Sequence, residues 1–401
     1  DYQDKYFFSA SYRRDGSSRF APETRWGNFW SVGASWRIDR EDFMVSTSDW
    51  LSALTLKASY GAQGNDNLGT YYASKGLYAI VSNLGENALV SDRIATPKLK
   101  WETNLNFNVG VDFSLWNNRV SGSFDFFQRR SKDLLYSRPV APSMGYSSVD
   151  ENVGALKNTG IELTLNGTVI HTEDFMWKLG FNLTHYKNVV TELPLKDMPP
   201  VGVNKLKEGR SVYDFYTKEW AGVDPENGDP LWYMDILDKD ENVIGRGTTN
   251  VYKDATDYYV NKSSLPKIYG GFNTEFSYKG IELSAIFAYS VGGYIMNRDI
   301  TMILHNGSAE GRSWLKEILD RWTPENRYTD VPALGTTSNN WTSYSTRFLQ
   351  NNSYMRLKNL TLSYTLPKQL VNRASLSNVQ VFVQSDNLFT IHRNQGLDPE
   401  Q

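Results

Sequence analysis

The sequence predicts an all-β protein, a transmembrane antiparallel β-barrel of which the chain holds one part, with long loops gathered at one end. Three observations predict it. The stretch from Trp101 to Phe113 is a two-faced ribbon. Short and long connections between such stretches alternate along the chain. Aromatic residues make up 14% of the composition, with 24 Tyr and 12 Trp, which suits the aromatic girdles that frame the apolar band of an outer-membrane barrel.

Between Trp101 and Phe113, alternate positions place Trp101, Thr103, Leu105, Phe107, Val109, Val111 and Phe113 on one side. Glu102, Asn104, Asn106, Asn108, Gly110 and Asp112 fall on the other. Successive strand side chains point to opposite faces, so one face is apolar and one polar. At about 13 residues the run is far longer than an ordinary strand. A helical reading fails, because Leu105 and Val109 would share a face with Asn104, Asn108 and Asp112.

The same alternation recurs along the chain. Tyr6, Phe8, Ala10 and Tyr12 give a first strand, followed by a turn signal at Asp15-Gly16-Ser17-Ser18. Trp30 to Ile38 and Leu54 to Gly61 give the next two. After the ribbon just described, Trp116-Asn117-Asn118 turns the chain back into Val120 to Phe126. Ile161 to Asn166 and Phe175 to Thr184 flank a short turn near His171. Phe272 to Tyr278 returns through Lys279-Gly280 into Ile281 to Tyr289, as a two-residue hairpin loop does. Asn359 to Leu366 and Val379 to Val383 end the series. One helix is expected at Ser313 to Trp322, stopped by Thr323-Pro324. The count is about eleven strands, whereas bacterial single-chain barrels use an even number, so the chain is expected to be an incomplete piece of a larger barrel.

The connections sort by length. Small turns fall at one end of the strands, while excursions far longer than ordinary loops fall at the other. Outer-membrane barrels have this asymmetry, with short periplasmic turns and long extracellular loops. A soluble β-sandwich that binds or cleaves glycans is the alternative; it would need a second sheet over the apolar faces and leaves the sorting unexplained. A passive porin or adhesin barrel shares the pattern. A propeller would repeat every 40–50 residues or so, and no such repeat is present.

Composition narrows the function. The net charge is −3 with no basic clusters, which argues against nucleic acid as a partner. No run of about 18 apolar residues could form a transmembrane helix. The mean hydropathy of −0.50 does not exclude a barrel, since alternating strands average out. Cysteine is absent, as suits an exported chain. The chain opens on Asp1 without a Met, which is read as truncation.

No catalytic, cofactor or metal constellation stands out. His171, His185, His305 and His392 share no ligand spacing. Asp238 to Asn242 begins like a calcium loop but has Val243 and Thr249 where Gly and Glu are needed, so a solvated turn is expected. Asp224, Glu226 and Asp229 fit either an external cation or ordinary turn chemistry. Trp220, Trp232, Tyr233 and Trp341 lie in long loops. They either contact a sugar, peptide or protein partner or pack the loops into cores of their own.

Several stretches resemble the SusC/RagA-type TonB-linked outer-membrane transporters of the Bacteroidetes. They are Arg14 to Phe20, Glu41 to Met44, Leu134-Leu135 leading to Gly145 to Val149, and Asn158 to Leu163, then Gly222 to Trp232, Asp320 to Asn326 and Ser353 to Tyr364. They occur in the family's order across nearly the whole chain. The resemblance implies a TonB-dependent importer of glycan or peptide oligomers, not an enzyme, working with a SusD-like lipoprotein. It places residues 1–401 in the C-terminal part of the barrel, roughly half of 22 strands. The plug, the TonB-contact segment and the final strand are then expected outside the chain.

Overall fold

The structure is a computed structural model and describes residues 1–146, 148–196, 198–307, 311–335, 340–396 and 398–400. Ser147, within one of the stretches that resemble the family, lies outside them. Eleven strands form one sheet in which every strand pairs antiparallel with its chain neighbours in that sheet. They are β1 (Tyr6–Gly16), β2 (Trp26–Arg37), β3 (Leu51–Asn65), β4 (Glu102–Leu115), β5 (Val120–Lys132) and β6 (Ala155–His171). The rest are β7 (Phe175–Glu192), β8 (Ile268–Tyr278), β9 (Ile281–Val291), β10 (Tyr354–Thr365) and β11 (Gln380–His392).

Register keeps the alternation in phase across the sheet. Tyr60 of β3 stands opposite Phe107 of β4, Val109 opposite Phe126, and Leu163 opposite Leu183. Phe181 meets Phe272, which meets Phe287; Leu283 meets Leu362, which meets Val383. One face is thus apolar through all eleven strands, because a period of two leaves no other way to keep these residues together. No second sheet covers that face among the described residues: Phe8 is 73% exposed, Tyr12 69% and Val383 72%. An uncovered apolar area of this extent is far beyond what a water-soluble surface carries.

The other face is polar and bonds laterally. Lys57 of β3 lies between Asp112 of β4 (2.8 Å) and Asp125 of β5 (3.0 Å). Lys178 of β7 pairs with Glu275 of β8 at 2.9 Å. Asn188 donates to Asn158 at 2.8 Å.

The tight turns 116–119, 172–174 and 279–280 fall at one end, together with the longer connections 38–50 and 366–379, which carry short helical turns. Lys279 (φ 46°) and Gly280 (φ 86°) form the two-residue loop between β8 and β9 with both residues left-handed, the geometry that matches strand twist. A Cβ on Gly280 would lie 2.7 Å from the Thr365 carbonyl oxygen, so no other residue fits there. At the opposite end run the connections 17–25, 66–101, 133–154, 193–267 and 292–353.

Two expectations are corrected. The β4 strand starts at Glu102, not Trp101. The Trp101 indole turns away to donate to the Arg25 carbonyl (2.8 Å) and packs edge-on to Phe29 and against Phe20. Ser313 to Trp322 is not a helix: only the 3₁₀ turn Lys316–Asp320 forms. Leu315, ahead of it, is extended at ψ 146°, and Trp314 is drawn off to donate its Nε1 to His305 Nδ1 (2.8 Å). The helix in this region is Arg298–Ile303, with the Asn297 side chain capping the Ile300 amide.

Candidate functional site

The sheet buries little between layers, so the main core lies elsewhere, in the loops. Insert 193–267 folds into a ribbon, Asp214–Lys218 with Asp257–Ser263, and a three-stranded sheet of Trp220–Val223, Pro230–Leu237 and Val243–Thr249. Insert 292–353 adds Tyr294–Met296 paired with Leu349–Asn351 and the short helix. Phe215 and Trp232 from the first insert share one buried cluster with Met296, Ile300, Leu304, Ile318, Val331, Trp341 and Phe348 from the second. A long loop holds its shape in this way, with a hydrophobic core of its own.

The four aromatic candidates divide. Trp232 and Trp341 are fully buried in that cluster, so neither offers a face to a ligand from solvent. Trp220 packs at its margin, edge-on to Trp232 at 5.7 Å, with its Nε1 donating to Asp330 (2.7 Å). Tyr233 sits apart under Arg246, whose guanidinium lies 3.9 Å from the ring centre and 4.7 Å from Tyr258.

Arg347 was not legible as a key residue, since nothing in its neighbourhood marks it. Its side chain is only 3% exposed. The guanidinium lies 4.9 Å from Trp220, 5.3 Å from Trp341 and 5.7 Å from Phe348. It donates to the Asp330 carbonyl and pairs with Glu317 at 3.5 Å. Burial pushes its pKa down, opposed by Asp330 and Glu317. The group cannot lose its proton in a protein, so the site holds a cation boxed by rings.

Asp224, Glu226 and Asp229 make a turn. Asp224 Oδ1 accepts from the Glu226 amide (2.9 Å), and the Gly228 amide donates to the Asp224 carbonyl (2.8 Å). Gly228 has φ 79°, and a Cβ there would strike the Trp322 ring at 2.6 Å. The stretches Gly222 to Trp232 and Asp320 to Asn326, far apart in sequence, therefore interlock. Asp238 Oδ1 accepts from the amides of Asp240 and Asn242 (both 2.9 Å) in the hairpin turn, and the Asn242 amide chiefly holds its carboxyl below the usual range.

Asn188 and the segment after β11 help fasten the loop unit to the wall. Asn188 of β7, on the polar face, accepts from Ser211 Oγ (3.2 Å) and the Val212 amide (3.0 Å). Asn297 Nδ2 donates to the Gln395 carbonyl (2.7 Å), and beyond it Arg356 of β10 binds Glu400 (2.7 Å) and Asp398.

A lipid-ready face, a polar face and a loop unit with its own core at one end describe a membrane barrel wall with outer loops. The comparisons agree. Residues 1–264 match the family model described as TonB dependent receptor-like, beta-barrel. The chain belongs to the TonB-dependent receptor β-barrel family. It is 31% identical, over all of its length, to TonB-dependent receptor P3 of Formosa agariphila, covering 41% of that protein. It is 29% identical over 99% of its length to TonB-dependent receptor SusC of Bacteroides thetaiotaomicron, covering 40% of it. Among solved structures, one titled "Structure of the RagAB peptide transporter" superposes with a TM-score of 0.88 at 34% identity, over 99% of this chain and 43% of that one. The chain thus spans about two fifths of the length of the relatives it matches. As a SusC/RagA-type TonB-dependent receptor barrel it is an outer-membrane protein, and the apolar face is the one such a barrel turns to lipid.

Proposed function

We propose that residues 1–401 form the C-terminal part of the barrel of an outer-membrane importer that takes up nutrient oligomers, glycan or peptide, with a SusD-like lipoprotein and with energy from TonB. The observation that carries the reading is the loop unit: two inserts share one buried core, and the first of them is pinned to the polar face through Asn188. Such a cap suits a gated entrance shared with a partner protein rather than an open pore. The chain's likeness to the RagAB peptide transporter supports transport without fixing the substrate here. In the full barrel the two edge strands, β1 and β11, would pair with strands supplied from outside this chain, since no edge is tolerated in lipid.

The experiment uses the full-length protein in a Gram-negative host, with uptake of labelled oligomers measured with and without a working TonB. Uptake is expected to stop when TonB is removed. Uptake that continues unchanged would mark a passive pore and end the proposal.

A further inference from the structure

We infer that the root of the 193–267 insert is a subsite for the carboxylate of an acidic oligomer, built from Arg210 and Lys207 on the Tyr216–Tyr259 pair at the rim of the polar face. The inference rests on the import reading and narrows its substrate chemistry.

The position is fixed by the wall. The Gly209 amide donates to the Val190 carbonyl (2.9 Å) and the Val190 amide to the Arg210 carbonyl (2.8 Å) at the upper end of β7. The next two residues hang from Asn188. Arg210 therefore stands where the polar face gives way to the loops. Tyr186 of β7 and Tyr269 of β8 are on that face by register and lie edge-to-face at 6.4 Å.

The cations are held in advance. The Arg210 guanidinium lies 4.2 Å from the Tyr259 ring centre and Lys207 Nζ 5.8 Å from it. Lys205 Nζ is 5.1 Å from the Tyr216 ring, and the two rings are 4.8 Å apart. Only one edge of the Arg210 fork is in use: Nη1 reaches Asn261 Oδ1 at 3.4 Å and Asp214 at a long 3.7 Å. Among the described residues its Nε and Nη2 make no hydrogen bond, and Lys207 makes no ion pair. Glu208, between them in sequence, turns away to accept from the Leu193 amide (3.0 Å).

A guanidinium is planar, and its fork of donors matches a carboxylate through two parallel bonds. Lys207 adds a point charge at the same Tyr259 ring. The field points the same way. The far part of the insert is rich in acids, among them Asp224, Glu226, Asp229, Asp238 and Asp240, while the root carries Lys196, Lys205, Lys207, Arg210, Lys262 and Lys267 against Asp197, Glu208 and Asp214. An anion is repelled by the tip and drawn to the root. The tyrosines beside it offer flat contact to the remainder of a chain-like ligand.

The test uses full-length protein purified in detergent and titrated with tetragalacturonate, tetraglutamate and neutral cellotetraose at low and at physiological salt. At least one acidic probe is expected to bind about tenfold or more tighter than the neutral one, with affinity falling as salt rises. Which acidic probe binds tells a sugar carboxylate from a peptide one. Arg210→Gln with Lys207→Gln keeps a flat amide over Tyr259 and removes both charges. It should lose about tenfold or more for the acidic probe and flatten the salt dependence, while Lys253→Ala, in the acidic part of the insert, binds as wild type. A heat-modifiable barrel confirms that each variant has folded. Equal binding of acidic and neutral probes, no binding of either acidic probe, or full binding by the double variant overturns the subsite. TonB-dependent uptake of a neutral oligomer alongside such a result would leave the import reading standing.

Discussion

Arg347 shows how single side chains set the shape of the loops. Its guanidinium faces three rings drawn from both inserts, so it joins segments that backbone pairing links only at isolated points such as Lys218 with Ser345. Its acidic partners are well solvated, Glu317 at 39% and Asp330 at 67% side-chain exposure. Removing the cation therefore strands no buried carboxylate, and the loss is that of stacking and packing. Arg347→Met fills most of the volume and should cost the loop unit about 1–2 kcal/mol. Arg347→Ala also leaves a cavity and should cost roughly 2–4 kcal/mol. Hydrogen exchange of the inserts in the full-length protein reads both, with the barrel strands as an internal reference. Exchange in Arg347→Met equal to wild type would mean that the stacked cation adds nothing. Trp232 and Trp341 carry the complementary lesson. In sequence they are loop tryptophans like Trp220; only the fold separates the buried pair from the half-buried one.

At the scale of the strand, the question is which face meets lipid. On β4, Phe107 is 40% exposed and stacks edge-on to Phe126 at 6.4 Å, while its neighbours Asn104 and Asn108 bond to Ser131 and Ser59 across the polar face. An Arg on the lipid face near mid-membrane costs roughly 2–4 kcal/mol, whereas water reaches the lumen face. Phe107→Arg in the full-length protein should sharply reduce heat-modifiable, membrane-inserted barrel, and Asn106→Arg should assemble. The reverse outcome would invert the faces, and equal assembly would place the strand outside a membrane. The sequence made this face legible because solvent imposes a period of two on every strand at once. The same signal located all eleven strands but not their ends. The β11 strand runs on to His392, past Ser385-Asp386-Asn387 where alternation fails, because pairing with β10 carries it. The helix expected at Ser313 to Trp322 failed for a related reason: Trp314 is committed to His305, a tertiary contact that local pattern does not contain. A cue to the true helix was present, in Asn297 as cap with Asp299 in the first turn. Arg210, Lys207 and Asn188 had no cue, since their meaning comes from residues the wall brings to them.

At the scale of the whole molecule, the wall is one sheet with, among the described residues, two free edges and one uncovered face. Strands β1 and β11 each pair on one side only, so both edges present rows of unpaired backbone groups that invite other chains. The apolar face spans all eleven strands, from Phe8 on β1 to Val383 on β11. The loop unit does not help, because its core lies among the inserts. Water thus offers this chain no arrangement that satisfies both edges and face, and lipid alone satisfies the face but not the edges. Residues 1–401 expressed alone should therefore aggregate without detergent. In detergent they should remain polydisperse with strand-rich circular dichroism, as edges pair at random. Size exclusion with light scattering reads the first outcome and tests the second. A sharp monomer in water that melts cooperatively would require something to cover Phe8, Tyr12 and Val383, and would replace the membrane wall with a soluble sandwich.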